Sequence, residues 1–437
     1  MQADDAQLPD TPTTEHLDIN RQRRRLLLAA PALAGTLGGI AQPVLAQSSS
    51  GWSATWGCAP AGPPPSASTM SFSGQTLRMI AHASTGGNRV RVRLSNEMGN
   101  TSLAIGAAQV GLRSSGVAVV AGSNHPLTFG GRTSITIPAG VAILSDPVYL
   151  QVAPFADLAI SLFFPGTVMA TTIHRDSWQT NYVSSAGNFA AHTSFPVSRS
   201  FGSWPFLTEV DVDGSTRCIV AIGDSLTDGL GSTANANRRW PDYLARRLPS
   251  ELGTVGRIGV VNRGIAGNRL LLDDPNALLA GRRVVERFDR DVLATPGVRA
   301  VIVAIGINDI VYASGTALSR MQQDLIAGYR QLISRARARG VRIVGATLPP
   351  MEGFVYYTAQ REAVRQATNG WLRSSNEFDM LIDWDRVLRD PANPGRLHPD
   401  YNRKPDGRLG DYLHPNDAGY QALAAAVPLS RLVSMMT

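Results

Sequence analysis

The 437-residue sequence predicts two fold classes in series, an all-β half followed by an α/β half built on a parallel sheet. Three observations carry this. A chain of this length exceeds one typical core and calls for two. Residues 71–209 break into short alternating segments punctuated by turns, the pattern of antiparallel strands. From Ser215 onward short apolar runs alternate with helical stripes, the pattern of a parallel sheet covered by helices.

Composition narrows the class before any element is placed. Charged residues make up 17% and hydrophobic ones 43%, a globular balance. The formal charge is +7, yet the basic residues are scattered and nearly all arginine, with Lys404 the single lysine. That distribution argues against a nucleic-acid stripe and against chemistry that needs a catalytic lysine. No cofactor and no metal are expected. Cys58 and Cys218 give no metal spacing, and His82, His125, His174 and His192 show no ligand spacing. The two cysteines are expected as buried free thiols, because Cys218 leads into an apolar strand; export would also permit a bridge between them.

Residues 1–46 read as a signal peptide. Arg21, Arg23, Arg24 and Arg25 precede a mildly apolar run from Leu26 to Ile40, and Val44-Leu45-Ala46 supplies small residues for cleavage. Arg23-Arg24-Arg25-Leu26-Leu27 resembles a twin-arginine signal, so the expectation is an exported chain, periplasmic or extracellular. The apolar run is shorter than the roughly twenty residues that span a bilayer, and no later run reaches that length, so no stable membrane insertion is expected.

Residues 47–70 are rich in serine, proline, glycine and alanine and read as a linker docked by Trp52 and Trp56. The β half, residues 71–210, is expected as a sandwich or jelly roll. Leu77 to His82, Val90 to Leu94 and Thr133 to Ile137 alternate with period two, divided by Gly-Gly, Asn-Glu-Met-Gly-Asn and Pro-Ala-Gly turns. Trp178, Tyr182 and Trp204 could stack on a sugar, or serve as core and interdomain aromatics.

In residues 211–437 the first strand is Ile219-Val220-Ala221-Ile222, an unbroken apolar run that fits a strand buried on both faces. A helix follows from Trp240 with Pro241 in its first turn. Ile258 to Asn262 and Val301 to Ile305 are the second and third strands. Leu318, Met321, Leu325, Tyr329 and Leu332 form an apolar stripe on a helix that stops at Gly340. A fourth strand (Val341 to Ala346), a helix (Gln360 to Arg373), a strand (Met380 to Asp383) and a last helix after His414-Pro415-Asn416 complete the alternation.

The loops after the first three strands carry the candidate chemistry. Gly223-Asp224-Ser225 ends the first strand and sets a serine at its carboxyl end, the edge where open α/β sheets bind ligands; an ordinary strand-to-helix turn is the plainer reading. The second strand leads into Asn262-Arg263-Gly264-Ile265-Ala266-Gly267-Asn268 and the third into Gly306-Ile307-Asn308-Asp309. In a parallel sheet these loops emerge on the same edge, where glycine amides and an asparagine amide can donate to a developing oxyanion. A base is available in Asp411-Tyr412-Leu413-His414, with Asp411 placed to orient the imidazole and Pro415 expected to start the helix behind it. His398 is the weaker competitor, since position 395 is glycine.

Gly223-Asp224-Ser225-Leu226, the Gly267 loop, Gly306-Ile307-Asn308-Asp309 and Asp411-Tyr412-Leu413-His414 resemble, in order, the four blocks of the SGNH or GDSL hydrolase superfamily. The resemblance covers about residues 216–430. It implies a flavodoxin-like three-layer α/β/α fold and ester hydrolysis through an acyl-serine. By position it implies Ser225 as nucleophile, His414 as base, Asp411 as its orienting carboxylate, and the Ser225 amide, Gly267 and Asn308 as the oxyanion hole; Gly264 is the alternative to Gly267. The β half opening with Trp52-Ser53-Ala54-Thr55-Trp56 is similar to a secreted, acetylxylan-esterase-like branch, which implies an acetylated carbohydrate as partner. A lipolytic or aryl esterase, and a glycan-binding protein with a relic hydrolase domain, are the alternatives.

Overall fold

Five parallel strands in the order Gly259–Gly264, Cys218–Gly223, Val298–Ala304, Arg342–Ala346 and Met380–Ile382 form the sheet of the second half. Numbered along the chain this is the order 2-1-3-4-5 of flavodoxin-like folds, whose switch point lies between strands one and three. The computed structural model describes residues 51–65, 69–273, 278–404 and 410–437. The expected signal peptide lies outside the described residues.

The first strand shows why its sequence is apolar throughout. Val220 and Ile222 point into a core shared with Leu318, Leu325, Tyr329 and Leu332 of the helix Gly315–Ala338. Ile219 and Ala221 point the other way, into a core with Trp240, Leu244 and Leu248 of the helix Trp240–Leu252 and with Tyr420 and Leu423 of the helix Asp417–Ala425. Alternate side chains thus bury on opposite faces, and helices cover both. Among the described residues no helix is long and apolar enough to cross a membrane.

The first half holds two antiparallel sheets around one core. One runs Ser53–Gly57, Leu207–Val212, Gly87–Ser95, Val148–Val152. The other is centred on Ser71–His82 and Asp157–Met169. Leu77, Met79 and Ala81 meet Val90, Val92 and Leu94 in the shared apolar interior, which is what period two in both segments requires.

Several elements differ from the sequence expectation. The stretch expected as a linker contains the strand Ser53–Gly57, buried along its whole length and paired with Leu207–Val212. Its neighbours Pro, Gly and Ser mask a five-residue strand whose partner lies about 150 residues away, since Ala54 pairs with Asp211. Trp204 is buried in the core, edge-on to Trp56 at 4.9 Å, and so is not open to stack on a sugar, whereas Tyr182 and Trp178 are half-buried. Pro415 precedes the last helix instead of starting it: Asn416 is the cap, its side chain accepting the Gly419 amide at 3.0 Å. A short helix, Ile307–Tyr312, and a terminal one, Leu429–Ser434, were not legible in the sequence because neither is long enough to show a period.

The two halves meet along the strand Ser53–Gly57 and the outer strand Gly259–Gly264. Ser53 Oγ donates to the Arg217 carbonyl at 2.9 Å, the Ala54 amide to the Pro296 carbonyl at 3.1 Å, and the Val260 amide to Ser84 Oγ at 2.8 Å. A side chain at Gly259 would put its Cβ 2.1 Å from the Ala54 carbonyl oxygen, so only glycine allows this approach. Cys58 and Cys218 are both free and buried.

Candidate active site

At the end of the first strand the backbone turns tightly. A Cβ at Gly223 would lie 2.3 Å from Thr227 Oγ1 and 2.4 Å from the Ala304 carbonyl, which only glycine avoids. Asp224 caps the short helix Ser225–Asp228, its Oδ1 accepting the Leu226 amide at 3.1 Å. Burial pushes the Asp224 carboxyl up to about 7, with the charge of Asp309 adding to the effect and the Leu226 amide opposing it. Ser225 is the first residue of that helix.

The imidazole comes from the other end of the half. Asp411 Oδ1 accepts the amides of Leu413 (3.0 Å) and His414 (2.8 Å), and this tight turn sets Tyr412 in the left-handed region at φ 62°. Asp411 Oδ2 then lies 2.8 Å from His414 Nδ1, and His414 Nε2 lies 2.8 Å from Ser225 Oγ. A carboxylate only accepts, so Nδ1 carries the hydrogen and Nε2 is free to accept the serine proton. Burial raises the Asp411 carboxyl, but the hydrogen bond and charge of His414 and the two amides outweigh it and hold the group below its ordinary value. Its contribution to stability is therefore present above the ordinary carboxylate range and is lost as pH falls through the lowered value.

His398 stands apart. Its Nδ1 accepts the Asp400 amide at 3.2 Å and its ring lies 5.0 Å from that of Tyr401.

Asn308 is buried at the start of the helix Ile307–Tyr312, and its Nδ2 donates to the Asn268 carbonyl at 2.9 Å. One amide hydrogen is thereby fixed, which orients the other. Gly267 adopts φ 82°, a conformation that favours glycine, and among the described residues its amide has no acceptor. The Gly264 amide already donates to Asn262 Oδ1 at 2.9 Å. Of the two alternatives, Gly267 alone keeps an amide available for an oxyanion.

What holds these loops together was not apparent from the sequence. Arg287 is fully buried and donates to the Gly223 carbonyl (3.1 Å), the Arg263 carbonyl (2.9 Å) and Asn268 Oδ1 (2.9 Å from Nη2). Asn268 in turn donates to the Ala280 and Arg282 carbonyls at 2.6 and 2.8 Å. Asp309 accepts the Leu270 and Leu271 amides at 2.8 and 3.0 Å, and burial pushes its carboxyl up to about 6. One guanidinium therefore ties the end of the first strand to the loop after the second, and one carboxylate ties that loop to the third. No local pattern marks Arg287, which sits in the five-residue helix Val284–Phe288. Among the described residues no cluster of three or more His, Cys, Asp or Glu side chains could hold a metal ion.

A hydroxyl, an imidazole and a carboxylate in line, beside an oriented asparagine amide and an unoccupied glycine amide, can perform nucleophilic acyl transfer. Asn308→Ala is expected to lower kcat about 10²- to 10³-fold, the loss typical of one oxyanion donor, with KM little changed. A steady-state measurement on an aryl acetate that finds kcat within about threefold of wild type removes Asn308 from that role.

The family model for the GDSL-like lipase/acylhydrolase family matches residues 221–422. No curated protein matches the chain. Among solved structures, the chain is similar to an acetyl xylan esterase of Geobacillus stearothermophilus at 23% identity, covering 49% of this chain and 93% of that one, with a TM-score of 0.36. An aryl esterase of M. smegmatis shares 18% identity over 51% of this chain and 100% of its own, with a TM-score of 0.36. A GDSL-like lipase of Bacteroides thetaiotaomicron shares 16% over 50% and 89%, with a TM-score of 0.35. The stretch from 221 to 422, a little under half of the chain, thus matches the GDSL-like lipase/acylhydrolase family, and this domain is that of a carboxylic ester hydrolase.

Proposed function

We propose that the chain is an exported serine esterase that removes acetyl or similarly short acyl groups from a carbohydrate. The observation that carries the mechanism is the 2.8 Å contact of Ser225 Oγ with His414 Nε2, backed by the 2.8 Å contact of Nδ1 with Asp411. In this reading Ser225 Oγ attacks the ester carbon as its proton passes to Nε2. The oxyanion is held by Asn308 Nδ2 and by the Ser225 and Gly267 amides, and the alcohol leaves with the proton returned from His414. Water, deprotonated by His414, then releases the acid and restores the serine.

The substrate class is supported by the rim of the site. Tyr312 and Tyr356 are 48% and 43% exposed with ring centroids 5.5 Å apart, and Val355 between Tyr356 and Phe354 is 80% exposed. Phe354 stands edge-on both to Tyr356 (5.6 Å) and to His414 (6.4 Å). Exposed aromatic surface next to a reactive imidazole marks a binding edge, and flat rings suit the C–H face of a pyranose better than a long flexible acyl chain. An aryl leaving group fits the same surface, which makes the aryl esterase the second reading. Export rests on the arginines and apolar run of residues 1–46.

Release of acetate from acetylated xylan, compared with hydrolysis of aryl esters of increasing acyl length and with Ser225→Ala as the blank, tests the proposal. The expected result is acetate from the polymer, absent in the variant, and a steep fall in rate as the acyl chain grows. Preference for long-chain aryl esters with an untouched polymer gives the lipolytic reading, and no turnover on any ester gives the glycan-binding one.

A further inference from the structure

His174 lies in the β-rich half, in the two-residue strand Ile173–His174 paired with Trp204–Pro205. Its ring is 4% exposed and tilted against the Trp204 indole at 5.6 Å. Nδ1 is 3.0 Å from the Ala59 carbonyl oxygen and Nε2 is 3.1 Å from Asp228 Oδ1. Asp228 Oδ2 accepts the amide of Ala266 at 2.8 Å, and the next residue is Gly267.

Both oxygens facing the imidazole are acceptors, so the two bonds coexist only if a proton is shared within the pair beyond the one a neutral ring carries. Asp228 Oδ2 accepts the Ala266 amide as well, so both carboxylate oxygens serve as acceptors and the extra proton sits on the ring. Burial lowers the His174 pKa, but the charge and hydrogen bond of Asp228, the Ala59 carbonyl and the charge of Asp176 together hold it above its ordinary value.

We propose that His174 is a positioning residue for ester hydrolysis: as a buried cation it fixes Asp228, and Asp228 fixes the Ala266–Gly267 loop against the helix that carries Ser225. This rests on the serine-esterase reading with Gly267 as an oxyanion donor. Two geometric facts make the clamp tight. Asp228 is in the same short helix as Ser225, and a Cβ at Gly264 would lie 2.2 Å from the Asp228 amide, so loop and helix are in backbone contact. The β-rich half then completes the active site as well as flanking it.

The charged groups around the pair are few. Asp176 faces the ring from its own segment. Arg239 approaches Asp228 but is engaged by Asp242 at 2.8 Å, and the Cys58 thiol and Tyr420 phenol are both held neutral by burial. Because the His174 pKa is raised, the clamp is complete below the ordinary imidazole range and is lost as pH climbs through the raised value.

The test uses the full chain with His174→Ala, Asp228→Ala and Asp228→Asn, alongside wild type and Ser225→Ala, on an aryl acetate. The two alanine variants are expected to lose about 10- to 100-fold in kcat with KM within about threefold, part of the effect of losing one oxyanion donor. In Asp228→Asn the Oδ1 can still accept the Ala266 amide while Nδ2 donates to a neutral Nε2. It is expected to recover at least about tenfold of the Asp228→Ala loss and to lack the alkaline decline in kcat expected of wild type. The inference is overturned if both alanine variants melt like wild type and keep kcat within about threefold. If His174→Ala does not fold, equal rates for Asp228→Ala and Asp228→Asn overturn it instead. Equal rates for wild type and Ser225→Ala are a different failure, that of the serine-esterase reading itself.

Discussion

Changing Ser225 to alanine is expected to lower kcat by roughly four to six orders of magnitude while the protein melts as before. The substitution removes the oxygen that would bond to the acyl carbon, and among the described residues no other hydroxyl is hydrogen-bonded to His414 Nε2 to replace it. What remains is binding and the oxyanion donors, which alone are worth about 10³–10⁴ over water in a comparable triad enzyme. Structurally the loss is small. Ser225 is a helix residue for which alanine has a better propensity, and the cap that starts the helix belongs to Asp224. Single-turnover kinetics on an aryl acetate with a parallel melting curve check the result, and a rate within about tenfold of wild type assigns the nucleophile to another residue.

His414→Ala is expected to cost a comparable factor, about four to six orders of magnitude, since a serine hydroxyl without its base is as inert as no serine. The informative comparison is His398→Ala, expected to stay within about threefold of wild type. Both histidines precede a proline, but only His414 has a carboxylate three residues earlier, and only its ring reaches Ser225. His398 accepts from the Asp400 amide and packs on Tyr401. Equal losses in the two variants would show that the base was assigned to the wrong imidazole. Phe354, edge-on to His414, is untouched by either change, so KM measured together with kcat separates a lost base from a damaged rim.

Much of this molecule is legible in its sequence, and the reason is that the legible parts are local. The run Ile219 to Ile222 announces a strand buried on both faces because every residue in it is apolar. Leu318 to Leu332 announces a helix because its apolar residues recur every third and fourth position. Asp411 and His414 can be paired by eye because a three-residue spacing closes within one turn. Once the sheet is known to be parallel, the loops at Ser225, Gly267 and Asn308 must share an edge.

The tertiary structure decided what those loops do to one another. It separated Gly267 from Gly264, because only the fold shows that Asn262 Oδ1 has taken the Gly264 amide. It revealed a strand inside a proline- and glycine-rich stretch, because that strand exists through pairing with Leu207–Val212 and has no period of its own to display. It brought Arg287 under the loops of the candidate site and His174 to Asp228 across 54 positions of sequence. The physical reason is common to all of these. A hydrogen bond between distant residues depends on where two side chains point after the strands and helices have packed, and packing is set by the whole core, whereas propensity and periodicity record only what each residue asks of its immediate neighbours.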